Sequence, residues 1–129
     1  MIRRVHYTAL IVDYAGVFTD KGIPNIVAAA RTRGFKTALL SNADRVPPGL
    51  PDVFDAVVVS GEAGVAKPDP EIFRITAARL GTPVRQCVFV DDVAGYVRGA
   101  AQAGMTGVHH RDLDSTVDEL TTLLGVDLR

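Results

Sequence analysis

The sequence predicts an α/β fold of three layers, in which a parallel sheet of five strands is covered by helices on both faces. Five short apolar runs are continuous rather than alternating, which is typical of strands buried on both faces. Segments with helical spacing lie between these runs, and such an alternation favours parallel strands joined by crossover helices. With 129 residues and 47% hydrophobic content the chain can form one core, so we expect one domain over residues 1–129.

Each of the five apolar runs is a predicted strand. They are TALIV (8–12), KTALL (36–40), DAVVVS (55–60), QCVFV (86–90) and TGVHH (106–110). The proline-rich stretch ADRVPPGLPD separates the second run from the third, and it predicts a surface loop.

Four segments have the apolar spacing of helices and carry their own start and stop signals. They cover residues 23–34, 68–81, 96–104 and 115–125. In the second segment we expect Asp69 to be the N-cap, Pro70 to take the first helical position and Gly81 to end the helix. In the last segment, either Asp114 or Ser115 is the expected N-cap.

Composition excludes several classes of partner. Fourteen basic residues against 15 acidic residues give a formal net charge of -1, so we expect neither a nucleic acid nor a membrane as partner. The single cysteine, Cys87, lies in an apolar run, which excludes an intramolecular disulfide and indicates a buried thiol in a reducing compartment, most simply the cytoplasm. Arg3 and Arg4 precede a moderately apolar stretch, but His6 and Asp13 interrupt it, so no signal peptide is expected.

Polar residues gather at the predicted carboxyl ends of the strands, where parallel sheets bind their ligands. They are Asp13 after the first strand, Ser41 and Asn42 after the second, Lys67 in the loop after the third, and Asp91 and Asp92 after the fourth. Each has an ordinary explanation when taken alone, because turns and helix caps commonly use such residues. Together they predict one site at one edge of the sheet.

The adjacent pair Asp91-Asp92 is harder to explain as turn chemistry. Two like charges at the end of a buried strand raise the pKa of both carboxyls unless a cation or hydrogen-bond donors compensate, so a divalent metal is a natural hypothesis. Oxygen ligands without nearby Cys or His favour Mg²⁺ over zinc. His109 and His110 follow each other in a strand and so point to opposite faces, which favours structural or solvent-facing roles.

These residues stand in four motifs by which the chain resembles the haloacid dehalogenase-like (HAD) superfamily of phosphatases and related hydrolases, over essentially its whole length. The motifs are LIVDYAGVFTD, ALLSNAD, GVAKPDPEIF and VFVDDVAGYVRGAAQAGM, in the family's order. The resemblance implies a Rossmann-like core with sheet order 3-2-1-4-5. It also implies that Asp13 attacks phosphorus to form an aspartyl-phosphate, which water then hydrolyses.

The other motif residues acquire roles by the same resemblance. Ser41 would hydrogen-bond a phosphoryl oxygen, with Asn42 as a further substrate-binding residue, and Lys67 would offset the negative charge of nucleophile and phosphoryl group. Mg²⁺ would be held by Asp13, the backbone carbonyl of Ala15, Asp91 and Asp92, which are the expected metal ligands.

The chain departs from the family pattern at three places. Ala15 stands where the family's phosphatases have the aspartate that protonates the leaving group and activates water, and such catalysis is typically worth ~10²- to 10⁴-fold. The family's dehalogenases and phosphonoacetaldehyde hydrolases also lack that acid, and the latter share the local Tyr-Ala-Gly type of sequence. Tyr96 replaces a common Asn or Asp, which weakens support for the metal. Finally, only a turn and one helix fit between Asp13 and Ser41, so no cap domain is expected.

Without a cap, the site is open to water, and large substrates or a neighbouring subunit acting as lid are the expected alternatives. A phosphorylated small molecule or macromolecule is the expected substrate, and a homodimer is one expected assembly. Two functions stay open: an Mg²⁺-dependent phosphohydrolase that is slow because of Ala15, and a catalytically impaired module for binding or regulation. A phosphoacceptor receiver domain is disfavoured because its acidic pair would follow the first strand, and a dinucleotide-binding domain because no Gly-x-Gly-x-x-Gly follows that strand.

Overall fold

The computed structural model describes residues 5–129 and contains one parallel sheet of five strands in the order β3-β2-β1-β4-β5. The predicted three-layer fold and sheet order are confirmed. Arg3 and Arg4, which entered the expectation about a signal peptide, lie outside the described residues. The strands are β1 (Ala9–Val12), β2 (Lys36–Ser41), β3 (Ala56–Val59), β4 (Cys87–Asp91) and β5 (Thr106–His109). The helices are α1 (Ile23–Thr32), α2 (Ser60–Ala63), α3 (Pro70–Leu80), α4 (Ala94–Ala103) and α5 (Leu113–Leu124).

The sheet divides the interior into two apolar layers. Leu10 and Val12 of β1 pack with α1 and α5 on one face, whereas Ala9 and Ile11 pack with α3 and α4 on the other. All four side chains are at most 1% exposed, which is why the run is apolar at every position instead of alternating. Since β1 pairs with β2 on one side and β4 on the other, the end of β1 lies at the centre of the sheet edge.

Helix termini follow the predicted capping chemistry in α3 but not in α5. The carboxylate of Asp69 accepts a hydrogen bond from the Glu71 amide at 3.0 Å, and Gly81 ends α3 with φ of 64°. The expected cap of α5 was wrong: Asp112 is the N-cap, and Ser115 donates its amide to the Asp112 carboxylate at 2.8 Å. Ser115 is thus the partner of the cap and not the cap itself.

Two further helix boundaries differ from the sequence expectation. Helix α4 begins at Ala94, two residues before the expected start, and the short helix α2 extends from the end of β3. Four residues are too few to show helical periodicity, so α2 leaves no pattern in the sequence.

The described chain has no domain inserted around the sheet edge where the polar residues gather. Residues 14–40 form a turn at Tyr14–Phe18, then α1 and β2, and residues 42–66 form a surface loop followed by β3 and α2. The absence of a cap in this part of the chain agrees with the expectation. Within residues 5–129, every helix is too short or too polar to cross a membrane, and the longest has 12 residues.

Candidate active site

Asp13 lies at the centre of the sheet edge, directly after β1. Its amide donates to the carbonyl of Val90 at 3.0 Å, and its carbonyl accepts from the amide of Phe18 at 3.1 Å. The chain then leaves the sheet through the turn Tyr14–Phe18. These backbone bonds fix the Asp13 side chain at the position where strand order reverses, which is where open α/β sheets bind ligands.

The ammonium of Lys67 joins two of the predicted acids. Lys67 Nζ lies 2.8 Å from Asp13 Oδ1, 2.8 Å from Asp91 Oδ2 and 3.1 Å from the Leu40 carbonyl oxygen. All three ammonium protons therefore have acceptors, and the Lys67 side chain is only 1% exposed. A buried lysine requires such compensation, because an unpaired charge in the interior is strongly unfavourable.

Asn42 holds the backbone of Lys67. Its Nδ2 donates to the Lys67 carbonyl at 3.0 Å, while its Oδ1 accepts from the Lys67 amide at 2.9 Å. The side-chain amide thus binds both backbone groups of Lys67 and ties the loop before α3 to the end of β2. Sequence reasoning missed this role, because the contact links residues 25 positions apart and leaves no local pattern.

Asp91 is fully buried, with both carboxylate oxygens engaged. Oδ2 accepts from Lys67, and Oδ1 accepts from the Val93 amide at 3.0 Å. Burial raises the pKa of Asp91 to about 6, against the lowering effect of the Lys67 ammonium and the Val93 amide. Asp91 therefore receives its proton more readily than an ordinary aspartate does.

The neighbouring Asp92 is exposed and completes a group of three carboxylates. Oxygens of Asp13, Asp91 and Asp92 all lie within 4.8 Å of one another. Gly16 in the turn has φ of 82°, and a Cβ added there would overlap the Asp92 carboxylate. Glycine is therefore required at this position both for the backbone conformation and for the approach of Asp92 to the turn.

The donor set of this group fits Mg²⁺. Three carboxylates against one ammonium give a formal charge of −2 when all are ionised, and every available ligand atom is an oxygen. Within residues 5–129, the second oxygen of Asp13 accepts no hydrogen bond, and the carbonyl of the exposed Ala15 is used by none of the turn's hydrogen bonds. The three predicted carboxylate ligands thus converge, and Asp91 is the one most occupied by protein donors.

Ser41 ends β2, and its side chain is placed beside the same sheet edge. The residue is 6% exposed, and its hydroxyl makes no side-chain hydrogen bond within the described part of the chain. The amide of Ala43 is taken by the Ser60 hydroxyl at 3.0 Å. Among the described residues, the Ser41 hydroxyl thus has no side-chain partner, whereas the Ala43 amide is already used inside the protein.

The two histidines have structural partners, as expected from their strand positions. His109 Nε2 donates to the Asp92 carbonyl at 3.0 Å. The buried His110 lies between Asp20, with Nε2 to Oδ2 at 2.8 Å, and Thr116, with Nδ1 to Oγ1 at 2.7 Å. His110 thereby joins the segment before α1 to the first turn of α5.

Comparisons with known proteins concern the family and the fold of the chain. The model of the family described as haloacid dehalogenase-like hydrolase matches residues 2–104. An uncharacterised protein of Corynebacterium glutamicum has a crystal structure that superposes with a TM-score of 0.85 at 38% identity, covering 92% of this chain and 96% of that one.

Several curated relatives carry the name phosphatase. A phosphatase of Mycobacterium tuberculosis is 38% identical over 84 residues, covering 59% of this chain and 39% of that protein. A phosphoserine phosphatase of Thermus thermophilus is 38% identical over 90 residues, covering 64% of this chain and 36% of that protein. The chain thus spans less than two fifths of the length of either relative. Its motifs, its sheet order and the family match over most of its length place the chain in the haloacid dehalogenase-like hydrolase family.

Proposed function

We propose that the protein is an Mg²⁺-dependent phosphohydrolase in which Asp13 is the nucleophile. The observation that carries this proposal is the Lys67 ammonium, which is buried between Asp13 and Asp91 at 2.8 Å from each. The ammonium pairs with the Asp13 carboxylate and fixes the orientation of that carboxylate at the carboxyl end of β1. The relatives named as phosphatases support phosphate esters as the substrate class.

The proposed reaction has two displacements. A carboxylate oxygen of Asp13 attacks phosphorus, the bond from phosphorus to the leaving oxygen breaks, and the leaving group departs with that bond's electron pair. Water then attacks the aspartyl-phosphate, which releases inorganic phosphate, restores the Asp13 carboxylate and gives one proton to the solvent. The proton balance is completed when the departed anion takes a proton from water.

The remaining residues bind and orient. Ser41 donates its hydroxyl to a phosphoryl oxygen. Asn42 keeps Lys67 in place, and the exposed side of Asn42 borders the substrate. Asp13, Asp91, Asp92 and the carbonyl of Ala15 are the proposed ligands of Mg²⁺. When bound, the ion supplies positive charge that lets an anionic nucleophile approach an anionic ester.

Ala15 sets the preferred substrates. Its methyl group cannot protonate a leaving oxygen, so leaving groups that are stable as anions, such as phenolates and carboxylates, should be expelled faster than alkoxides. The open sheet edge also admits large phosphorylated substrates, or a second copy of the chain as lid in a homodimer. The fully buried free thiol of Cys87 supports a reducing, cytoplasmic setting for the enzyme.

The test is turnover of 4-nitrophenyl phosphate with and without Mg²⁺. We expect Mg²⁺-dependent release of nitrophenolate, abolished in Asp13→Asn and retained in Asp52→Asn, a matched change at a side chain 97% exposed. Equal turnover in the two variants would contradict the assignment of Asp13.

A second candidate function is a catalytically impaired HAD module that binds or regulates, and the observation that favours it is Ala15. In that case the protein should bind Mg²⁺ and inorganic phosphate, as measured by calorimetry, and should show no turnover across a panel of alkyl, aryl and acyl phosphates.

A further inference from the structure

Tyr96 contacts the charged end of Lys67. From the sequence, the only expected effect of Tyr96 was weaker support for the metal, because it replaces a common Asn or Asp. The ring centroid of Tyr96 lies 5.1 Å from Lys67 Nζ, and that of Phe89 lies 5.5 Å from the same atom. Both distances are within the range of cation–π interactions, which are strongest when the cation is shielded from water. Lys67 is shielded in this way, since its side chain is 1% exposed.

The hydrogen bonds of Lys67 explain why an aromatic ring suits this position. Its three ammonium protons are taken by Asp13, Asp91 and the Leu40 carbonyl, so an additional polar acceptor has no proton to receive. An aromatic face attracts the positive charge without needing a proton and excludes water from the side it covers. A carboxylate in place of Tyr96 would instead add a fourth negative group to the three already within 4.8 Å of one another.

The position of Tyr96 in the chain makes this contact specific. Tyr96 lies in the first turn of α4, the helix that follows the Asp91-Asp92 pair, and its amide donates to the Val93 carbonyl at 3.0 Å. It is half-buried and packs against the apolar layer that contains Phe89 and Phe73. Its hydroxyl has no hydrogen-bond partner within residues 5–129, so the ring accounts for the contact with Lys67.

We propose that Tyr96 is a positioning residue, whose ring shields the Lys67 ammonium from water and holds it against Asp13 and Asp91. The catalytic consequence rests on the proposed function, whereas the shielding itself can be measured without turnover. Because the ring acts through its face, Tyr96→Phe should preserve the shielding of the Lys67 ammonium. Tyr96→Leu should lose it.

The first experiment measures the exchange of the Lys67 ammonium protons with water by NMR of the ¹⁵N-labelled protein. We expect slow exchange in the wild type and in Tyr96→Phe, and exchange at least about tenfold faster in Tyr96→Leu, as the loss of a desolvated cation–π contact implies. Val97→Ala, a truncation at the next residue of α4, controls for general loosening of the helix and should keep slow exchange. Unchanged exchange in Tyr96→Leu would overturn the proposal.

The second experiment measures kcat and KM on 4-nitrophenyl phosphate. Tyr96→Phe should stay within about twofold of the wild type, whereas Tyr96→Leu should lose about 10- to 30-fold in kcat with little change in KM, the range that a shielded cation–π contact allows. Phenylalanines with one, two and three ring fluorines at position 96 should lower kcat stepwise, since fluorine weakens the ring face without changing its shape much. A flat series would show that the ring only fills space, which contradicts the proposal.

The two experiments separate this inference from the proposed function. If the wild type shows no turnover at all, the phosphohydrolase assignment fails, and the ammonium exchange still decides the role of Tyr96. If turnover depends on Asp13 but ammonium exchange and kcat are insensitive to position 96, the inference fails and the assignment stands.

Discussion

Replacing Lys67 with methionine should destabilise the protein strongly and in a pH-dependent way. Methionine keeps much of the apolar stem but removes an ammonium that lies 2.8 Å from each of two buried carboxylates. Removing one partner of a buried ion pair typically costs about 3–5 kcal/mol, because the remaining charge has no compensation. At pH 8 in EDTA, we expect Lys67→Met to lower the free energy of unfolding by about that amount.

The pH dependence follows from Asp91, whose pKa in the folded protein is raised to about 6. A raised pKa means that the folded state binds the proton more tightly than the unfolded state, so this group favours folding at low pH and loses that effect as pH rises through 6. The Lys67 ammonium lowers the pKa of Asp91, and its removal should raise that pKa further. Near pH 5, Asp91 takes up its proton in the variant, and the cost of the substitution should shrink.

Urea unfolding followed by circular dichroism at pH 5 and at pH 8 measures the effect. Lys21→Met is the matched control, because Lys21 is exposed and such substitutions usually stay within about 0.5 kcal/mol. A loss smaller than about 1 kcal/mol at pH 8 would refute the reasoning from the ion pair. An equal loss at both pH values would refute the reasoning from the proton on Asp91.

Three other predictions concern single positions. Ala15→Asp should raise phosphatase activity, more on alkyl than on aryl phosphates, because it introduces a proton donor for the leaving oxygen; a kinetic comparison on both ester types without gain would contradict this. Gly16→Ala should weaken Mg²⁺ binding at least about tenfold by calorimetry, since its Cβ would overlap the Asp92 carboxylate. Gly49→Ala is the matched control. Gly49 also has a positive φ, of 73°, but a Cβ added there would have no atom within 4 Å, so this change introduces backbone strain without a clash and should leave Mg²⁺ affinity unchanged. Finally, burial raises the pKa of the Cys87 thiol to about 11, so Ellman's reagent at pH 8 should label Cys87 only after unfolding in urea; rapid labelling of the native protein would contradict its burial.

The layered fold could be predicted from the sequence because the three central strands, β1, β2 and β4, are buried on both faces. That burial makes the runs continuously apolar, and the intervening helices bring start and stop residues such as Asp69 and Gly81. The sheet order required the family resemblance, since apolar runs alone do not determine which strands are neighbours. The structure confirms that order and brings Asp13, Lys67 and Asp91 into contact.

Other features were not predictable, because they depend on contacts between distant segments. Asn42 hydrogen-bonds Lys67, and Tyr96 packs on the same lysine. These contacts form only when three segments meet, namely the end of β2, the loop that precedes α3, and helix α4. The cap of α5 was misassigned because three polar residues, Asp112, Asp114 and Ser115, compete for it. Only the backbone conformation, extended at Asp112, decides which of them precedes the helix.

Because two hydrogen bonds join Asn42 to Lys67, the segment between these residues should tolerate the insertion of additional residues or of a domain. They tie the ends of residues 43–66 together, so we expect Lys67 to keep its position when the exposed loop at 44–49 is lengthened. Lengthening a surface loop is inexpensive, since each doubling costs only about 0.6 kcal/mol in closure entropy. A covering domain grafted into this loop should therefore change what enters the site without disturbing the charges at its centre.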